Sequence, residues 1–150
     1  MKALFYSLFL VTTISVAAQQ TGKQSFEQLK ESPAGSKIIW FLDAVKSGNL
    51  TDESIEKYFA PKLIEKLGAD KLMSAFEDIK MNDGTLIMYL ANRKEMTEYK
   101  LIVKGTKSNE WMEMGFYFEG ESPYRIAGFT IDSTPASYET LQPIYPKSNE

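Results

Sequence analysis

The stretch PYRIAGFTIDSTP, Pro123–Pro135, decides the fold. Ala127, Phe129 and Ile131 fall on one side of it and Ile126 and Thr130 on the other, the period of a β-strand. Three stretches before it read the same way: TLIMYLA (85–91), TEYKLIVKG (97–105) and EWMEMGFYFEG (110–120). Their apolar sides, Leu86, Met88 and Leu90, Leu101 and Val103, and Met112, Met114, Phe116 and Phe118, join Ala127, Phe129 and Ile131 on the face expected to be inside. The connections NRKEM, TKSN and ESP are short enough for an antiparallel meander. Pro123–Pro135 is therefore expected to close a four-stranded antiparallel sheet. Gly115 and Gly128 lie inside strands, where glycine marks a bulge or sharp bend.

Upstream the period changes. In SKIIWFLDAVKSG (36–48), Ile38, Phe41, Leu42 and Val45 share one helix face, with Ser36 as the expected N-cap. Thr51 caps a second helix, with Leu50 and Ile55 at hydrophobic-staple spacing. Pro61 begins a further turn, and Leu72, Ala75, Phe76 and Ile79 form another apolar face. These features predict an α+β domain over 36–132, with N-terminal helices packed on a curved sheet. Residues 19–35 read as a flexible leader, with room for one helical turn around Phe26 and Leu29, and 133–150 as an extended tail. Pro135, Pro143 and Pro146 forbid a regular helix there, yet Tyr138, Leu141, Ile144 and Tyr145 are too apolar for a solvated end. Such a tail lies back across the domain or across a partner.

The first residues set the compartment. Lys2 precedes an apolar run from Ala3 to Val16, then Ala17 and Ala18, the layout of a secretory signal peptide over 1–18 cleaved before Gln19. The run is shorter than the ~20 apolar residues of a membrane span. The expectation is an exported protein, periplasmic or secreted, with no membrane span in its mature form. The chain has no cysteine and no histidine, so neither disulfides nor the usual zinc ligands are at hand. Its nine Phe, eight Tyr and two Trp supply an apolar core instead. A net charge of −3 at pH 7, without a basic stripe, argues against nucleic-acid binding.

Helices followed by a curled sheet with interior glycines resemble the NTF2-like, cystatin-like fold. The resemblance sharpens at FAPKL (Phe59–Leu63), at Trp111 opening its strand, and at P-x-R-I-A-G (Pro123–Gly128). These motifs are similar to NTF2-like domains of exported bacterial proteins, often found before a β-lactamase-like serine hydrolase domain. The likeness spans Trp40 to Pro135. It implies a binding module, because the hydrolase signature is missing. Ser54-x-x-Lys57 matches the first motif of such enzymes, but no Lys-Thr-Gly or Lys-Ser-Gly follows and the pair sits at a helix start.

Other chemistry is scarce. Triads with His or Cys cannot be assembled. Asp78–Gly84 fails as a calcium loop, with Lys80 and Tyr89 at ligand positions. Asn49-Leu50-Thr51 is a formal glycosylation sequon, better explained by the cap. Glu110, Glu113, Glu119 and Glu121 read as a solvated rim rather than a metal site, and no cofactor is implied. Some NTF2-like enzymes use a pocket tyrosine and a carboxylate base, and Tyr58, Tyr89, Tyr99 and Tyr117 accompany Asp43, Glu98 and Asp132 here. Periodicity aims none of those carboxylates into the core, so catalysis is the alternative and binding the expectation.

Two sites are candidates. Ile87, Tyr89, Ile102, Trp111, Tyr117 and Ile126 share the sheet face away from the helices. Aromatics ringed by charge there resemble an interface core and rim, for a homodimer or an envelope protein partner. The competing reading is scattered surface aromatics. Trp40, Phe41, Tyr99, Met114 and Phe129 lie between sheet and helices, either around a small apolar ligand or as close-packed core.

Overall fold

A computed structural model describes residues 21–146, so the expected signal peptide and residues 147–150 of the tail lie outside the described residues. From residue 21 on, the supposed leader is folded. Ser25 and Gln28 form a capping box that starts α1 (Phe26–Glu31). Ser32 then takes an extended backbone, ends α1, and accepts the Gly35 N–H at 2.8 Å to start α2 (Pro33–Ser47). Proline is favoured in the first helical turn, so Pro33 opens the helix that Ser36 was expected to cap. Gly35 is required by the close approach of the two helices, since a Cβ would sit 2.4 Å from the Leu29 carbonyl oxygen.

Thr51 caps α3 (Asp52–Tyr58) as its position implied, with Ser54 returning a bond to the Thr51 N–H at 2.9 Å. Two further helices follow, α4 (Pro61–Leu67) and α5 (Ala69–Asp83). The strands form one antiparallel sheet of five, one more than expected, in the order β1 (Gly22–Lys23), β2 (Leu86–Glu95), β3 (Glu98–Gly105), β4 (Trp111–Phe118) and β5 (Ile126–Ser133). The extra strand, β1, pairs Gly22 and Lys23 with Arg93 and Asn92. Two residues carry no alternation to read, so β1 left no trace in the hydrophobic pattern. The α+β class stands.

Three register shifts interrupt the ladders; one, between Arg93 and Glu95, lies at the end of β2, and the other two decide which side chains face the helices. Between Met88 and Leu90 the β2–β3 pairing slips, leaving Tyr89 as an extra residue. Leu86 and Met88 point inward before it, whereas Ala91 and Arg93 do so after it. Leu90, expected inside, is paired with outward-facing Ile102. A second shift lies between β4 and β5: Tyr117 pairs with Gly128 but Phe118 with Ile126, so Ala127 is extra. Ile126, expected on the outer face, is therefore fully buried in the core, and Ala127, expected inside, is exposed. An inserted residue reverses every face assignment beyond it.

The core is an aromatic cluster. Phe41 of α2 meets Phe76 of α5 at 4.4 Å between ring centroids, Phe129 of β5 at 4.9 Å and Phe116 of β4 at 5.0 Å. Phe59, just beyond α3, joins it while bridging to Ile126, and the Ala60 N–H bonds the Ile126 carbonyl at 2.8 Å. That contact covers one end of the edge strand β5. Replacing Phe41 by Ala should cost about 3–5 kcal/mol, the range for emptying a buried aromatic site, and Phe116→Asn should prevent folding. Urea unfolding followed by circular dichroism checks both; a Phe41→Ala midpoint at the parent value would contradict this core.

Candidate functional site on the outer face of the sheet

Strand alternation turns Glu98, Lys100, Ile102 and Lys104 of β3 away from the helices, along with Trp111, Glu113 and Tyr117 of β4. The face divides into two halves. In one, Tyr117 is 43% exposed and its ring lies over two backbone positions. Cβ atoms built on Gly115 and Gly128 would stand 3.5 Å from the Tyr117 hydroxyl oxygen and 3.8 Å from its Cδ2. A Cβ on Gly115 would also meet the Thr130 hydroxyl at 2.7 Å, so this strand position takes glycine for want of room. Beside it Lys100 and Glu113 form a half-exposed ion pair at 2.9 Å, which raises the Lys100 pKa chiefly through its hydrogen bond to Glu113.

The other half is covered by the chain itself. After β5 the Thr134 N–H bonds the Trp111 carbonyl at 2.9 Å, and the segment 134–146, here called the strap, turns back across the sheet. Tyr138 meets the Trp111 ring at 5.5 Å, edge to face, while Tyr89 packs on the same indole at 4.7 Å. One carboxylate oxygen of Glu139 accepts from both Lys104 Nζ at 3.0 Å and Trp111 Nε1 at 3.3 Å. The ammonium also lies 4.8 Å over the Trp111 ring. The strap ends on the free edge of β2, where the Met88 N–H donates to the Tyr145 carbonyl at 2.6 Å and the Ile144 N–H to the Met88 carbonyl at 2.7 Å. Tyr145 stacks on Phe26 at 5.0 Å and gives its hydroxyl proton to Asp43 at 2.6 Å.

Of the residues expected on this face, Trp111 and Ile102 are buried, and Ile87 and Tyr89 are half-buried. Tyr117 is exposed, and Ile126 belongs to the core on the opposite side. The residues of the other expected site pack against different neighbours. Phe41, Met114 and Tyr99 are fully buried. Trp40 stacks on Tyr58 at 3.9 Å and reaches Phe59 and Phe76, while Tyr99 packs on Phe118 at 5.8 Å with Arg93 over its ring. The Tyr99 hydroxyl lies 3.4 Å from Ser32 Oγ rather than a carboxylate. Phe129 closes the space between them against Phe41 and Phe116. An open groove lies on the rim instead, lined by Trp40, Asp43, Ala44, Lys46, Ser47 and Asn49.

Glu110 and Glu121 are exposed, as expected of a solvated rim, whereas Glu113 and Glu119 are half-buried in ion pairs. Glu119 holds Arg125 through two side-chain bonds at 3.1 and 3.2 Å and also accepts the Arg125 backbone N–H at 3.0 Å, which keeps its carboxyl below the usual range. Glu113 pairs with Lys100, and Glu110 accepts from the Ser133 hydroxyl at 3.4 Å. Among the described residues no helix is long and apolar enough to cross a membrane. Comparison with protein-family models, curated proteins and solved structures finds no match.

The hydrogen bonds from Lys104 first, and Trp111 second, hold the Glu139 carboxyl below its usual range. A carboxyl whose pKa is lowered in the folded state stabilises its contact above the ordinary carboxylate range, and that contribution is lost as pH falls through the lowered value. The strap should therefore loosen on acidification. The chain has two tryptophans, so a Trp40→Phe background isolates Trp111 emission. Emission should change below the ordinary carboxylate range, and Glu139→Gln should flatten that transition; an unchanged transition would contradict the contact.

Proposed function

We propose that this chain is an exported, non-catalytic binding module of the NTF2-like, cystatin-like kind, meeting a protein partner on the outer face of its sheet. Helices preceding a bulged antiparallel sheet agree with that fold, and the signal-like first residues agree with export. The observation that carries the binding surface is Tyr117, a large ring left exposed over glycines and flanked by an ion pair, on the same sheet face as buried Ile102 and, at the far end of β4, buried Trp111. An aromatic centre with a charged rim is the composition of a contact surface. A small apolar ligand inside the domain would require a void where Phe41, Phe76, Phe116 and Phe129 touch. An enzyme of the same fold would require a tyrosine and a carboxylate aimed into a pocket. The Tyr145–Asp43 pair instead ties the strap to an exposed helix position.

Native mass spectrometry on the protein recovered from its own envelope or culture fraction tests this reading. The expected result is a homodimer or a complex with another protein, without an added small mass. Tyr117→Arg should shift that species to monomer while leaving the melting temperature within a few degrees, as for surface changes generally. A monomer carrying a small apolar molecule would overturn the proposal.

A further inference from the structure

We propose that the surface beneath the strap is a peptide-binding groove, and that the strap is its resident intramolecular occupant. This deepens the outer-face reading above and rests on it. The ligand class is an extended peptide with an aromatic residue immediately before a carboxylate and an apolar–aromatic pair further along. Those features are read from the strap itself: Tyr138-Glu139, then Ile144-Tyr145.

Each feature has a receptor on the sheet. The carboxylate is held by two donors from adjacent strands, Lys104 Nζ of β3 and Trp111 Nε1 of β4, which stand opposite one another in the ladder. Neither donor depends on the carboxylate belonging to the same chain. The preceding aromatic lies on the edge of Trp111, whose ring is oriented by Tyr89. At the far end the peptide backbone adds to the free edge of β2 at Met88, the way extended peptides commonly join sheets, with main-chain bonds giving affinity and side-chain sites giving selectivity. The terminal tyrosine meets Phe26 and Asp43. Receptor and occupant are complementary in charge, ring placement and backbone pairing. The strap is joined to β5 through Thr134 and Pro135 and makes no covalent link to the groove, so a peptide of the same chemistry competes for the same contacts.

A tethered segment acts at an effective concentration of about millimolar for a short flexible link, so a competing peptide meets a closed groove in the unaltered chain. The test uses the full chain and a fluorescein-labelled peptide with the sequence of residues 136–146. Glu139→Lys places a positive charge against Lys104 and loosens the strap, and should raise peptide affinity by about tenfold or more over the parent, the range that removing tethered competition allows. Adding Lys104→Glu to that chain should abolish binding of the parent peptide. A peptide with lysine in place of its glutamate should then bind the Lys104→Glu single variant, a rescue that damaged folding cannot produce. Absence of saturable binding to the Glu139→Lys chain, or binding indifferent to the charge at position 104, overturns the groove. If the peptide fails while a Tyr117-dependent complex persists in the mass spectrum, the groove alone falls. If that complex is absent, the outer-face reading falls with it.

Discussion

Phe41 sits where α2, α5, β4 and β5 converge, and its ring touches a phenylalanine from each of the other three. Aromatic rings in such edge and tilted contacts stabilise the core beyond the area they bury. Because the rings meet directly, sheet and helices are locked at a separation that leaves the interior as packing. The same locking fixes the outer face, since every inward side chain of β3 and β4 determines which neighbour points out.

The division between faces would be simple without the bulges. Tyr89 and Ala127 are each one residue too many for their ladders, and each exchanges the sides of the residues beyond it. The exchange at Ala127 places Ile126 in the core, where the chain after α3 can bridge to it and cover the β5 edge. The exchange at Tyr89 turns that tyrosine toward Trp111 and brings Ala91 and Arg93 inward. Bulges bend strands and strengthen twist locally.

Most of the architecture was legible because the hydrophobic period is strong: four strands, the Thr51-capped helix and the inward set from Leu101 to Phe116 follow from spacing. What spacing cannot hold is an insertion within a strand, so Leu90, Ala127 and Ile126 were placed on the wrong sides. Gly128, next to the second bulge, was the available signal. β1 is too short to show a period, and Pro33 fell within the stretch read as a flexible leader rather than at the start of a helix. Of the outer face, Trp111, Tyr117, Ile102, Ile87 and Tyr89 were found. The strap's destination was not, because the pairing of Glu139 with Lys104 and Trp111 joins positions far apart in the chain. The apolar residues of the tail signalled only that it would be covered.

The central claim is that the interior is closed while the outer face is guarded by a displaceable contact at Trp111. The two tryptophans report these places separately, Trp40 on the helical side and Trp111 on the sheet. The most direct measurement is a ¹H–¹⁵N spectrum of the two indole N–H groups in the parent and in Glu139→Gln. The account predicts that the Trp111 signal moves and exchanges faster with solvent, while the Trp40 signal keeps its position. A Trp111 signal indifferent to the change, or a Trp40 signal that moves with it, would contradict a closed core beneath a separately guarded face.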